Sequence, residues 1–284
     1  MYLMAKYFIL SVAILVFSMG VTSANEQTSI ELTFGLYQSD KATEMHRKFK
    51  PLIDYLSEEV SRSSQSPTEF KLKIFKSYQG ANEALVKGEV DFVRFGPASY
   101  ILAKTKQPGI QLLAIEEKKG KTRFKGLIVV SKNSPIQTLS DLNGRSFAFG
   151  NINSTIGRYL AQSELIKAGV TSSSLSKFAF LGRHDKVFKA VELGDYDAGS
   201  LKEATYKKMN RNSQLRILHS FENITKPWIA RAHLPPKIFK AVSTALIGLS
   251  DENMLKQYKV SGFVAVKDED YQYVRESIHE VKEF

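Results

Sequence analysis

The sequence predicts an α/β protein of two lobes, each a mainly parallel sheet flanked by helices, joined by a double-crossover hinge. Three observations carry that prediction. Strand-like and helix-like runs alternate along most of the 284 residues, as layered α/β architecture requires. The alternation is played through twice, once before residue 126 and once after it. Two crossings, near 126–131 and 222–229, each carry the chain from one block to the other, a geometry suited to closing around a ligand.

Ile30, Leu32, Phe34 and Leu36 alternate as a first strand. Met45, Phe49, Leu52, Ile53, Leu56 and Val60 then share one helical face, with Pro51 placed to kink it. Phe70 to Phe75 alternates again as a strand. Ala81 to Lys87 reads as a short helix stopped by Gly88, Val90 to Phe95 as a buried strand, and Pro97 as a first-turn residue of the next helix.

The second block opens on the β-branched run Leu127 to Ser131, followed by a loop from Lys132 to Pro135. Next come a strand from Ser146 to Gly150 and an amphipathic helix carrying Ile156, Leu160, Ala161, Leu165 and Ala168, with Gly169 as its stop. A strand from Phe178 to Leu181 precedes a helix from about Asp185 to Leu193, ended by Gly194. Asp197 to Gly199 and Leu215 to Ser220 read as further strands. Trp228 to His233 returns the chain to the first lobe, on which the mostly helical tail from Pro235 packs. The lobes are therefore drawn as 25–126 plus 228–284, and 127–227.

Residues 1–24 read as a cleavable secretory signal. Lys6 is the charge of that segment, Tyr7 to Phe17 is almost unbroken apolar sequence, and Thr22-Ser23-Ala24 offers small residues for cleavage. The apolar core is short for a membrane span, an uncleaved anchor being the alternative. About 260 residues remain after cleavage, enough for sizeable cores. The chain has no cysteine. Export without disulfides, and without a cysteine to carry lipid, fits a periplasmic protein whose fold rests on its core. The formal net charge is +11, with lysines scattered rather than gathered into a stripe. Export argues against nucleic acid, so the basic balance reads as a solvated surface with modest steering of small anions.

The turn Asn153-Ser154-Thr155-Ile156-Gly157 follows a strand and opens a helix. Two hydroxyls therefore sit where the first unpaired backbone N–H groups and the positive end of the helix dipole face outward. Taken alone, this is an ordinary Ser/Thr cap. Taken with a cleft, it is an anion site.

Four stretches place that turn in a wider pattern. They are GLYQSDKATEMHRKFKPLIDYL from Gly35 to Leu56, GEVDFVRFGPASYILA from Gly88 to Ala103, SDLNGRSFAFGNINSTIG from Ser140 to Gly157, and GRHDKVFKAVELGDYDAGSLKE from Gly182 to Glu203. In order and spacing they resemble the PhnD-like solute-binding proteins of phosphonate, phosphite and phosphate ABC transporters, a branch of the type II periplasmic binding proteins. The resemblance runs over nearly all of the mature sequence.

In that family a Ser-Thr-Ser-Gly turn holds the phosphonyl oxygens, which implies ligand contacts for Ser154 and Thr155. Ile156 stands where the third hydroxyl is expected and leaves only its backbone N–H. Gly157 then permits close backbone approach or packs the helix start. His184 matches a histidine that donates to the same group, and Tyr78 a tyrosine that faces the ligand. Glu203 matches an acid that meets the ammonium in aminoalkylphosphonate binders. A second acid is missing from Thr225-Lys226-Pro227-Trp228, and Phe124 stands where a tyrosine is often found. The resemblance thus implies a cradle of neutral donors. The half-built ammonium cage, opposed by Lys226, points away from 2-aminoethylphosphonate and toward a smaller or non-cationic phosphorus oxyanion.

Architecture adds Tyr37 and Ser39 after the first strand, and Gly96 at a helix start aimed at the cleft. Arg94 reads as a structural ion pair before it reads as a ligand. Trp228 either walls the cleft or packs at the hinge. The sequence offers no cysteine nucleophile, HExxH or Walker-type loop, and its five histidines are dispersed. No enzyme activity, metal or cofactor is expected. The expected function is capture of the oxyanion by hinge closure and delivery to an inner-membrane ABC permease, by a monomer that touches no nucleic acid. The alternatives are a ligand-sensing subunit for a membrane histidine kinase, a periplasmic phosphoesterase, and a sulfate or sulfonate in the same cleft.

Overall fold

The computed structural model describes residues 29–38 and 42–284. The signal expected at 1–24 and the site residue Ser39 lie outside the described residues. In chain order the first block contains β1 (Ile30–Tyr37), α1 (Ala42–Ser64), β2 (Thr68–Phe75), α2 (Tyr78–Lys87), β3 (Phe92–Arg94), α3 (Pro97–Lys106) and β4 (Gln111–Glu117). The second contains β5 (Arg123–Ser131), β6 (Ser146–Phe149), α4 (Ala161–Lys167), β7 (Lys177–Phe180), α5 (His184–Glu192), β8 (Ala198–Lys202), α6 (Glu203–Met209) and β9 (Leu215–Ile224). The chain then returns through β10 (Pro227–Ala230), α7 (Pro236–Gly248), α8 (Glu252–Tyr258), β11 (Gly262–Val264) and α9 (Gln272–Glu280).

Two sheets organise these elements, in the orders β11-β4-β10-β3-β1-β2 and β7-β6-β8-β5-β9. The α/β two-lobe class is as expected, but both sheets are mixed rather than mainly parallel. β1 pairs in parallel with β2 and β3, and β6 with β7 and β8. β10 runs antiparallel to β3 and β4, and β5 antiparallel to β8 and β9. The reversals follow from the crossings: a strand that enters a lobe from its neighbour meets strands already running the other way. β4 and β11 are absent from the sequence reading, and β11 interrupts the tail expected to be mostly helical.

The predicted face of α1 is the buried one, with Leu52, Leu56 and Val60 at 0 % exposure. Each such side chain contributes about 1.5–3 kcal/mol relative to leaving it in water. Pro51 does not end the helix. Proline lacks the N–H that would bond four residues back, and α8 supplies the missing partners. Gln257 Nε2 donates to the Arg47 and Lys48 carbonyls at 3.3 Å each, and Leu52 N–H donates to Tyr258 Oη at 3.0 Å. Trp228 is core: it is 1 % exposed and stacks on Phe34 at 4.6 Å between centroids.

The crossings join β4 to β5 and β9 to β10. They lie side by side, with Thr225 N–H donating to Thr122 O at 2.8 Å and Glu116 N–H to Lys226 O at 3.2 Å. Residues 123–126, drawn above as the end of the first lobe, belong to β5 and the second sheet, and Pro227 belongs to the first. The tail also departs from expectation, since it packs on both lobes. Tyr100 Oη donates to Asp268 on the first side, while Ser163 Oγ donates to Glu280 and Ile224 N–H to Tyr273 Oη on the second. Among the described residues no helix is long and apolar enough to cross a membrane.

Candidate functional site

Ser154 caps its helix as its residue type predicts. It has extended backbone (φ −85°, ψ 132°), and its Oγ accepts the Gly157 N–H at 3.0 Å. The helix it opens is not α at first. Thr155–Leu160 winds as a π-helix before α4 begins, a rare geometry that concentrates at functional sites. Its cause lies partly in Gly157. A Cβ there would lie 2.8 Å from Gly150 Cα, so the segment packs backbone against backbone, and Gly150 N–H donates to Gly157 O at 2.8 Å. Ile156 turns into the second lobe's core beside Ile128, Phe147 and Phe149. Its side chain is therefore a packing group, and only its backbone is left for an anion.

Thr155 is 6 % exposed, and its Oγ1 accepts the Ala98 N–H at 3.0 Å. That donor belongs to the first lobe. Gly96 caps α3 without a side chain and Pro97 occupies the first turn, so the Ala98 N–H is one of the helix-start donors that no carbonyl of α3 can use. Two helix starts, one from each lobe, thus face each other across the cleft with Thr155 between them. Tyr37 joins them from the end of β1. A side chain begun at Gly96 would lie 3.5 Å from both Tyr37 Oη and Thr155 Oγ1, so both hydroxyls face one small space. Tyr37 is 5 % exposed and stacks on Tyr78 at 3.8 Å between centroids. Burial raises the pKa of both phenols, keeping them protonated donors. Lys226 Nζ donates to Tyr37 Oη at 3.0 Å. The expectation of an all-neutral cradle therefore needs correction, because a cation stands against it.

His184 opens α5 from the second lobe. Its Nδ1 is buried with no hydrogen-bond partner among the described residues, while the ring bonds the Ser200 backbone. Burial first, then the Lys202 charge, lowers its pKa to about 4. The ring is neutral at neutral pH. A pH prediction follows. A folded-state pKa below the ordinary value of about 6.5 means that the unfolded chain binds the proton more readily. His184 should therefore cost stability progressively as pH falls from about 6.5 toward its lowered value, and none above that range. Denaturant melts of the wild type and His184→Gln across this range check it: the stability difference between them should change with pH there and level off at neutral pH.

Behind the cradle, Arg94 and Glu116 form a two-pronged ion pair, Nε to Oε1 and Nη2 to Oε2, with side chains 14 % and 2 % exposed. Burial pushes the Glu116 carboxyl up, but the Arg94 guanidinium outweighs it and holds the group below the usual carboxylate range. Arg94 is the structural pair expected of it. Lys118 lies 4.0 Å from Glu116. Lys48 faces the same group, its ammonium lowered to about 8 by burial and then by the Arg94 charge.

The structure thus brings together Ser154, Thr155, Gly157, Gly96, Tyr37 and Tyr78, while His184 is tied to the backbone of Ser200, whose side-chain Oγ donates to Gly157 O. It does not bring Glu203 to them by any described contact; Glu203 opens α6 and pairs with Lys207 Nζ at 2.8 Å. Phe124, at the start of β5, lies under Lys118 Nζ, 5.4 Å from its ring centroid. Sequence reasoning placed Ala98 in the helix start Gly96-Pro97-Ala98-Ser99 but missed Glu116, Lys118 and Lys48. The proline at the start of α3 was a usable signal for Ala98, since the N–H after a first-turn proline is an orphan donor.

Comparisons with known proteins bear on the family and the fold. Residues 34–271 match the family model described as ABC transporter, phosphonate, periplasmic substrate-binding protein. The probable ABC transporter phosphite binding protein PhnD1 of Prochlorococcus marinus is 23 % identical over 309 residues, covering 95 % of this chain and 96 % of that protein. The structure of PhnD1 in complex with methylphosphonate superposes with a TM-score of 0.73 at 22 % identity, over 89 % of this chain and 99 % of that one. XAC2383 of Xanthomonas citri, solved with bound chloride, gives 0.78 at 21 % identity, over 89 % of this chain and 98 % of that one. The family is one of periplasmic binding components rather than enzymes. A match that spans most of the described residues, on a fold whose two lobes meet at paired helix starts, settles the assignment: the chain belongs to the phosphonate periplasmic substrate-binding proteins of ABC transporters.

Proposed function

We propose that this protein captures a small phosphorus oxyanion, of the phosphonate, phosphite or phosphate class, between its lobes and hands it to an inner-membrane ABC permease. The observation that carries the reading is the meeting of Ala98 N–H and Thr155 Oγ1 across the cleft at 3.0 Å. The Tyr37 and Thr155 hydroxyls share one space there, and elsewhere His184 Nδ1 is buried and without a hydrogen-bond partner among the described residues. Helix starts suit tetrahedral oxyanions because their orphan N–H groups and dipoles favour negative charge. The relatives named for phosphite and solved with methylphosphonate support the same class.

In this reading the lobes comprise residues up to Glu117 together with those from Pro227 onward, and Arg123 to Ile224. The paired crossings form the hinge, and a cleaved signal at 1–24 delivers the chain to the periplasm. A ligand that bridges Thr155 and the α3 start binds the closed form more tightly than the open one, and only that difference shifts the population. The permease then reads the closed face. A thermal-shift panel of phosphate, phosphite, methylphosphonate, 2-aminoethylphosphonate and sulfate tests the ligand class. At about 100 times its dissociation constant a true ligand raises the melting temperature by several degrees. A shift with sulfate and none with any phosphorus compound would overturn the assignment.

A further inference from the structure

Lys226 enters the site from the second crossing, and its backbone is fixed there. Its carbonyl accepts Glu116 N–H at 3.2 Å, and the preceding Thr225 N–H is held by Thr122 O at 2.8 Å. The half-buried side chain puts Nζ 3.0 Å from Tyr37 Oη and 5.0 Å from the Tyr37 ring centroid. Tyr37 Oη in turn faces the same point above Gly96 as Thr155 Oγ1. An ammonium therefore stands one hydroxyl away from a cradle otherwise made of backbone N–H groups, hydroxyls and an imidazole. Its surroundings carry both signs, because the Glu116 carboxylate also feels the Lys226 charge. Lys118 lies 4.0 Å from Glu116, and the Glu116 carboxylate is engaged on both oxygens by Arg94.

We propose that Lys226 makes this site discriminate ligands by charge, favouring a tetrahedral oxyanion that carries two negative charges and no cationic tail. This rests on the phosphorus-oxyanion reading above. Shape alone treats a phosphonate and a sulfonate of the same substituent almost alike, because the two are nearly isosteric. A fixed cation does not, since its attraction scales with the ligand's charge. The same ammonium repels an aminoalkyl tail, so the crossing that lacks the expected acid carries a residue that works against such ligands.

Calorimetry at mildly alkaline pH separates these effects, with methylphosphonate as a dianion, methanesulfonate as its monoanionic isostere, and 2-aminoethylphosphonate as the cation-bearing ligand. The purified protein is compared with Lys226→Met, Lys226→Arg and Lys226→Glu, each checked by its melt without ligand; Lys226→Gln serves if the methionine variant does not fold. Lys226→Met should weaken methylphosphonate by about tenfold or more, the scale of a close charge pair, and methanesulfonate several-fold less. Lys226→Arg should keep the wild-type preference. Lys226→Glu should move the ratio of 2-aminoethylphosphonate to methylphosphonate affinity upward by about tenfold or more. Equal losses for the two isosteres in Lys226→Met, or an unmoved ratio in Lys226→Glu, would overturn the charge role and leave Lys226 as a tether for Tyr37. If neither methylphosphonate, phosphite nor phosphate binds the wild type, the phosphorus-oxyanion reading falls as well. Binding with unchanged selectivity removes only the proposal for Lys226.

Discussion

Glu116→Gln should destabilise the folded protein by about 3–5 kcal/mol, the cost of leaving a buried charge without its partner. The carboxylate is 2 % exposed and is the anion facing Arg94 on two bonds, with Lys118 4.0 Å away and Lys226 and Lys48 nearby. Removing it leaves cations facing one another in a low-dielectric site. A melting temperature lower by on the order of 10 °C is the expected readout for a chain of this size. The pH dependence has a definite sign. Glu116 has a lowered folded-state pKa, so its contribution is complete above the ordinary glutamate value of about 4.3 and is lost as pH falls toward the folded value. The gap between wild type and variant should therefore close in strong acid. Replacing both members, as Arg94→Met with Glu116→Leu, should recover much of the loss, because the buried guanidinium is no longer left unpaired. A Glu116→Gln variant that melts within a degree of wild type would show that water reaches the pair.

The same variant should respond more strongly to ligand. With Glu116 gone the cluster beside Tyr37 is more positive, and an oxyanion in the cleft supplies the missing counter-charge. The thermal shift on adding saturating phosphate or phosphonate should then exceed that of wild type, tying the core ion pair to the site it supports.

What the sequence revealed of this arrangement followed local physics. The one-sided apolar rows of α1 and α5, the left-handed glycines at 88, 169 and 194 and the first-turn Pro97 each mark their element through interactions within a few residues. β4 escaped because Gln111-Leu112-Leu113-Ala114-Ile115-Glu116-Glu117 does not alternate and its short apolar run fits a buried helix segment as well as a strand. Its Glu116 is buried only because Arg94 arrives from β3, on the far side of β10. No local pattern encodes that meeting. The π-helical start of α4 was equally hidden, since an apolar spacing suited to an α-helix tolerates one wider turn. At the site, the residue types of Thr155, His184 and Tyr78 were legible through their resemblance to a known pattern. Glu116, Lys118 and Lys48 were not, because only the pairing of distant segments gathers them.

Thr155→Val should weaken the best ligand by about 1.5–3 kcal/mol, roughly a tenfold to hundredfold loss, the cost of deleting a hydrogen bond to a charged group. Valine keeps the shape and the burial of a residue 6 % exposed, so the change isolates the hydroxyl. The ordinary-cap reading predicts something different. The capping oxygen in this structure is Ser154 Oγ, which accepts the Gly157 N–H, and Thr155→Val leaves it in place. If the turn were only a cap, affinity would be unchanged. If the hydroxyl serves the cleft, two consequences appear together. Ligand affinity falls, and the ligand-free protein closes less readily, because the Ala98 N–H loses the acceptor that links the lobes. Calorimetry reads the first, and small-angle scattering without ligand reads the second as a larger radius of gyration. Thr155→Ser restores the oxygen at the cost of a methyl group and should recover most of both. Unchanged affinity in Thr155→Val would remove Thr155 from the anion cradle.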